Sequence, residues 1–145
     1  MENEKKSITL MIGWMLLFLV GLLMSLGALE SAFVAFRGTG DALATVRIDE
    51  LSRINPGIPD AVRGRRLTAC GYALSCGLLI CWISATAYRR REKWAYYGLL
   101  ASVGLGSILS IARLVFVGSI PGAGAPGLTL AVLVVALAIS YRDFR

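Results

Sequence analysis

Three observations predict an all-α fold, a four-helix transmembrane bundle. The 145-residue chain is 57% hydrophobic before its 16 glycines are counted, whereas a soluble domain sits near ~45–50% with glycine included. Charged residues make up only 17%, against a usual ~25%. The apolar residues fall into four long continuous runs, which read as helices rather than as the alternating ~10-residue strands of a barrel. A soluble domain of this length has no interior large enough for so much apolar surface.

The expected spans are about 8–29, 67–88, 94–118 and 124–141, within a single transmembrane domain covering residues 1–145. A helix needs roughly 20 apolar residues to cross a ~30 Å hydrocarbon core. Ile8 to Leu29 and Leu67 to Tyr88 carry no charge, and the third run, from Trp94 to about Gly118, carries only Arg113. The fourth, Pro126 to Tyr141, is short on strict boundaries. It reaches full length when the hairpin Pro121-Gly-Ala-Gly-Ala-Pro126 lies at the interface. The first run is longer than the ~7–15-residue apolar core of a signal peptide and lacks a clear cleavage site, so it reads as a retained helix. Neither terminus carries a lipidation motif.

Residues 30–66 are expected to form the one sizeable loop, on the extracytoplasmic side. A helix over Asp41–Ile54 would have Asp41 as its cap and Asn55-Pro56 as its stop. Leu43, Val46, Leu51 and Ile54 share a face with Arg47 and Glu50, so the amphipathicity is poor. Val46 and Ile48 alternate as in a strand. Pro56-Gly-Ile-Pro59 predicts a rigid turn, after which Asp60 can start the second helix. The loop reads as a connector on the membrane surface, with a lid or partner-docking loop as the functional alternative. Asn55-Pro56 is not a glycan acceptor.

Lys and Arg placement sets the expected orientation. With both termini cytoplasmic, eight cations lie inside (Lys5, Lys6, Arg89, Arg90, Arg91, Lys93, Arg142, Arg145) and six outside (Arg37, Arg47, Arg53, Arg63, Arg65, Arg66). The compact turn Arg89-Arg-Arg-Glu-Lys93 decides for a multi-pass protein of the cell membrane with inner termini, against the counter-weight of residues 63–66. The formal net charge is +6. Because these cations flank spans, the bilayer and its anionic headgroups are the expected partners and nucleic acid is not. Arg89, Arg90, Arg91, Lys93 and Trp94 are the expected headgroup anchors. Tyr88, Tyr96 and Tyr97 join Trp94 as an interfacial aromatic belt, with Tyr141-Arg142 as a similar anchor. Trp14 and Trp82 lie within spans, as packing or lipid-facing residues.

Lipid tails are as apolar as leucine, so helices associate through close packing of small residues. The third span carries Gly98, Ser102, Gly106 and Ser110 at an i+4 interval. The second carries Ala69, Ala73 and Gly77, with Ser84 further along, and the first the weaker pair Gly21 and Ser25. Spans two and three are joined by about five residues. Their small faces pack on each other within the chain in one reading. In the other, the 98–110 stripe faces a second copy or a membrane-protein partner.

Chemical constellations are sparse. The chain has no histidine and no glutamine, which excludes histidine-ligated haem, H-E-x-x-H zinc chemistry and triads with a histidine base. No cofactor, metal site or catalytic residue is expected. Arg113 lies nineteen residues beyond Trp94, ~28 Å along a helix, and Glu30 lies ~33 Å beyond Ile8, so both are expected near the outer edge of the core. Ala32, Phe33, Val34 and Phe36 follow Glu30, which leaves room for the first helix to continue. Three readings stay open for the two: a snorkelling arginine beside a helix end, a structural ion pair, or a polar pocket for an anionic or polar ligand. With Asn55, they are the candidate binding residues. Cys70, Cys76 and Cys81 lie on one helix, six and five residues apart in turn, without a C-x-x-C pair, and read as small packing residues.

The stretch Tyr88-Arg-Arg-Arg-Glu-Lys-Trp-Ala-Tyr96 resembles the turn R-R-G-E-[RK]-W-A-W of small uncharacterised prokaryotic four-helix membrane proteins. Glu30 after the first span and Asn55-Pro56 in the loop are also similar. Arg91 stands where glycine is usual. The resemblance implies a prokaryotic four-span protein and brings no catalytic residue.

The expected function is non-enzymatic: an accessory or assembly subunit, or a lipid-associated helical bundle. The alternative is a transporter or lipophilic-ligand binder with an outward-facing polar pocket at Glu30 and Arg113. A lipid-modifying enzyme is least favoured, since Glu30 is the only embedded carboxylate that could act as a base.

Overall fold

The computed structural model describes residues 2–37, 42–43, 46–117 and 124–145. Four long helices dominate: α1 (Glu2–Arg37), α3 (Ile58–Ile83, continued by a π-helical turn Ser84–Tyr88), α4 (Lys93–Val117) and α5 (Gly124–Ser140, followed by a 3₁₀ turn Tyr141–Asp143). The all-α class and the four helices agree with expectation. Each is long and apolar enough to cross a membrane, over Ile8–Arg37, Ile58–Tyr88, Lys93–Ala112 and Pro126–Asp143.

The first two helices reach beyond their expected ends. No Gly or Pro separates Leu29 from Arg37, and the helix runs through Glu30 to Arg37. The next long helix starts at Ile58, nine residues before 67. Pro59 sits in its first turn, where the missing N–H costs nothing, and Asp60 there complements the helix dipole. The loop expected over residues 30–66 is therefore confined to the stretch between Arg37 and Ile58.

Inside that stretch, β1 (Ala42–Leu43) and β2 (Val46–Arg47) pair antiparallel, Ala42 opposite Arg47 and Leu43 opposite Val46. The single turn α2 (Ile48–Leu51) follows. The helix expected over 41–54 is thus cut to its centre, and the alternation at Val46 marks the pairing. Asp41, its expected cap, lies outside the described residues. Asn55 ends the turn as expected: its N–H donates to Leu51 O, and its Oδ1 accepts from Gly57 N–H at 2.9 Å. Such a local side-chain bond competes with helix continuation.

The chain divides into two compact units, residues 1–22 with 78–145, and residues 23–77. In the first, the buried stripes run at helical spacing: Leu10, Gly13, Leu17 and Val20 on α1, Ala95, Leu99, Val103 and Ser107 on α4, and Leu133, Ala136, Leu137 and Ser140 on α5. Exposed positions on the same helices are large and apolar, such as Met11, Met15, Leu19, Leu105, Leu109 and Val134. The inner stripes mix leucine and valine with small residues, and the outer faces are apolar as well, as expected of helices that have no polar face to turn to water. Cys81 Sγ donates to Phe18 O at 3.5 Å, tying the end of α3 to α1.

In the second unit, Ser25, Ala28 and Ala35 of α1 and Cys70 and Gly77 of α3 are buried. Arg66 Nε donates to Ser31 Oγ at 3.0 Å. Arg37 lies over the Phe33 ring at 4.3 Å.

Candidate functional site

Among the described residues, buried polar and aromatic side chains gather in the first unit, at the end that carries the basic turn 89–93. The cluster begins with the π-helical turn, whose wider i→i+5 winding is often found at functional or strained positions. Ser84, Ala87 and Tyr88 of this turn are all buried.

The helix then stops in two bonds. Arg91 N–H donates to Tyr88 O, and Glu92 N–H donates to Ala87 O, each at 3.0 Å. This is the Schellman arrangement, which needs a left-handed residue just past the helix, usually glycine. Arg91 fills that position with φ 62°.

Tyr88 is expected in the interfacial belt but is fully buried, and Tyr96 is buried with it. The correction comes from their partners, which lie far away in sequence. Ser140 Oγ donates to Ala136 O, so the Tyr88 hydroxyl is the donor in its hydrogen bond with Ser140 Oγ. Tyr96 OH donates to Leu137 O at 3.4 Å. The Phe144 ring sits 4.7 Å from Tyr88 and 5.1 Å from Tyr96, in tilted contacts of the favourable kind. Thr9 Oγ1 donates to Asp143 Oδ2 at 2.9 Å, bringing α1 to the same end. Gly13, one turn further along α1, allows that approach: a Cβ built there would lie 2.7 Å from Ser140 Oγ. The hydrogen-bond chain runs from phenol to hydroxyl and stops on a backbone carbonyl, so it holds helices together and relays no proton.

Beside this cluster is a small polar pocket of about 140 Å³ lined by Lys93, Tyr96, Tyr97, Tyr141, Phe144 and Arg145. On α1 an open apolar groove of about 560 Å³ is lined by Ile12, Met15, Phe18 and neighbouring residues.

The chain matches no protein family, no curated protein and no solved structure. Its site is therefore read from geometry alone.

The residues singled out from sequence are distributed as follows. Glu30 is exposed on α1. Arg113 lies on α4, and its side chain is outside the described residues. Asn55 is exposed and committed to its turn. Arg89, Arg90, Arg91, Lys93 and Trp94 are all exposed, and the Arg89 guanidinium stands 5.8 Å from the Trp14 ring. Trp82 is exposed.

Gly98, Ser102 and Gly106 are exposed, and a Cβ added to Gly106 would meet nothing within 4 Å. Ser110 is half-buried, Ala69 exposed, Ala73 half-buried and Gly77 buried. The face of α4 buried within the unit is instead Ala95, Leu99, Val103 and Ser107. On α1 the weaker small residues Gly21 and Ser25 are buried. Of the cysteines, Cys70 is buried, Cys76 exposed and Cys81 half-buried, all as free thiols.

Sequence reasoning missed Thr9, Gly13, Ser140, Asp143 and Phe144. One signal was present: Thr9 and Gly13, and likewise Ala136 and Ser140, are small residues four apart near the ends of their runs.

Proposed function

We propose that the chain is a multi-pass integral protein of the cell membrane, with both termini cytoplasmic, that acts as an accessory or assembly subunit of another membrane protein and performs no chemistry of its own. The observation that carries this reading is the exposed face of α4. Gly98, Ser102 and Gly106 form an open stripe. Ser102 and Ser110 turn their hydroxyls back onto the carbonyls of Gly98 and Gly106, at 2.7 and 2.8 Å. The face is thus low and its hydroxyls are already satisfied, a shape that lets another helix backbone approach closely in lipid. The basic turn beside Trp94 supports the inner placement of that end.

The test is gentle extraction of the tagged chain followed by mass spectrometry of what accompanies it. A stoichiometric membrane protein that is lost from the Gly98→Leu and Gly106→Leu variants is the expected result. A monomer with no companion, or a companion indifferent to both substitutions, overturns the subunit reading. A second copy in place of a different protein would replace it with self-association. Reporter fusions at each terminus check the orientation.

A further inference from the structure

The pocket at Lys93 and Arg145 belongs to no part of the packing cluster's work, yet the cluster builds one of its walls. We propose that it is a binding site for the phosphate of an anionic phospholipid headgroup. The inference rests on the membrane placement proposed above and is independent of the subunit reading.

Two cations, Lys93 and Arg145, line the pocket together with Tyr97 and Tyr141. Arginine and lysine with phenol hydroxyls make up a donor set suited to a phosphate. The two nearby carboxylate side chains are engaged elsewhere and line no part of it: Glu92 accepts from Trp94 Nε1, and Asp143 accepts from Thr9. The side-chain charge lining the pocket is therefore positive. At about 140 Å³ the space holds roughly four or five waters at ~30 Å³ each, which suits a compact oxyanion and is too small for an acyl chain.

The wall is packed without any ligand. Tyr96 and Phe144 are buried, held at 5.1 Å from each other, and Tyr96 is further tied to Leu137 O. A preformed wall lowers the ordering cost of binding. Position completes the argument. Lys93 opens one membrane-crossing helix, and Tyr141 lies near the end of another, so the pocket mouth is at headgroup level. Exposed Tyr97 and Tyr141 line it, and acyl chains would run along their rings while the phosphate enters between the cations. The start of α4 adds its positive dipole end to the same place.

The test uses the full chain in lipid nanodiscs of phosphatidylglycerol mixed with phosphatidylcholine, released into native mass spectrometry to count the lipids retained. One phosphatidylglycerol should be retained in clear preference to phosphatidylcholine. The double variant Lys93→Gln, Arg145→Gln should lose that preference by about tenfold or more. Arg90→Gln and Arg142→Gln, which remove exposed cations that do not line the pocket, should keep it. Tyr141→Phe provides a second variant that leaves charge and packing intact, and it should weaken retention. Melting temperatures recorded alongside separate lost binding from lost fold.

Equal loss in the Arg90→Gln and Arg142→Gln variants, or retention by the double variant, overturns the site in favour of diffuse surface charge. Displacement of the lipid by millimolar inorganic phosphate overturns the lipid assignment in favour of a free phosphate. A chain that washes off vesicles in alkaline carbonate refutes the membrane placement itself. An integrated chain with unselective retention refutes only the pocket.

Discussion

The Tyr88 hydroxyl donates to Ser140 Oγ across 52 residues of sequence, and the Ser140 hydroxyl donates in turn to the Ala136 carbonyl. The two are fully buried. Ser140→Ala leaves the phenol without its acceptor and should cost about 1–3 kcal/mol. Tyr88→Phe leaves Ser140 bonded to Ala136 and should cost less, about 0.5–1.5 kcal/mol. Unfolding in mixed micelles, run as a double-mutant cycle, should give a coupling of about 0.6 kcal/mol or more. Strict additivity would show that the pair contributes nothing together.

Gly13 is the second sensitive position of the same end. A methyl group there meets Ser140 Oγ at 2.7 Å, Ser140 Cβ at 3.2 Å and Ala136 O at 3.3 Å. Gly13→Ala should destabilise by about 1–3 kcal/mol through overpacking. In a Ser140→Ala background the added loss should shrink without vanishing, since the Cβ and carbonyl contacts remain. An unchanged melting temperature for Gly13→Ala alone would contradict the close approach of α1 to α5.

Arg91 holds the left-handed position of the turn with φ 62°. That conformation costs an L-residue about 1–2 kcal/mol, while glycine gives back about 0.5–1 kcal/mol through its freer unfolded chain. Arg91→Gly should therefore raise stability by about 0.5–1 kcal/mol, and Arg91→Ala should give no gain. Thermal unfolding of both variants decides it, and a gain from alanine equal to that from glycine would assign the effect to the lost charge.

Cys76 is exposed, yet it lies inside the span Ile58–Tyr88. In sealed vesicles it should resist a charged, membrane-impermeant maleimide added from either side, and it should react once the chain is unfolded in detergent. Buried Cys70 is an internal comparison, expected to stay unlabelled in both the vesicle and the mild-detergent states. Fast labelling of Cys76 in intact vesicles would place that face in water.

The four helices were legible because continuous apolar runs of this length have few other uses. Their outer ends were not, because charge was read as a stop: Glu30, Arg63, Arg65 and Arg66 all ride on helices. In Arg66 the side chain finds Ser31, a partner 35 residues away. The strongest small-residue stripe, 98–106, lies on the open side of α4, while the weaker pair Gly21 and Ser25 is buried. Spacing reports that a face is smooth; it does not report what lies against it. Tyr88 was misplaced for a related reason. A tyrosine next to three arginines looks interfacial, and only the arrival of Ser140 and Phe144 makes it core. The π-helical turn at 84–88 has no composition signal at all, and Ser84 Oγ within it is buried without a hydrogen-bond partner among the described residues.

The Thr9–Asp143 hydrogen bond spans 134 residues, and this sets a timetable for biogenesis. At ~5–20 residues per second of synthesis, the ribosome needs on the order of ten seconds after making Thr9 before Asp143 exists. During that interval Gly13 and Thr9 of α1 are without their partners Ser140 and Asp143. This end therefore cannot close until α5 and the turn after it have been made, and the nascent chain passes through a stage in which the face of α1 around Gly13 still lacks the Ser140 that covers it.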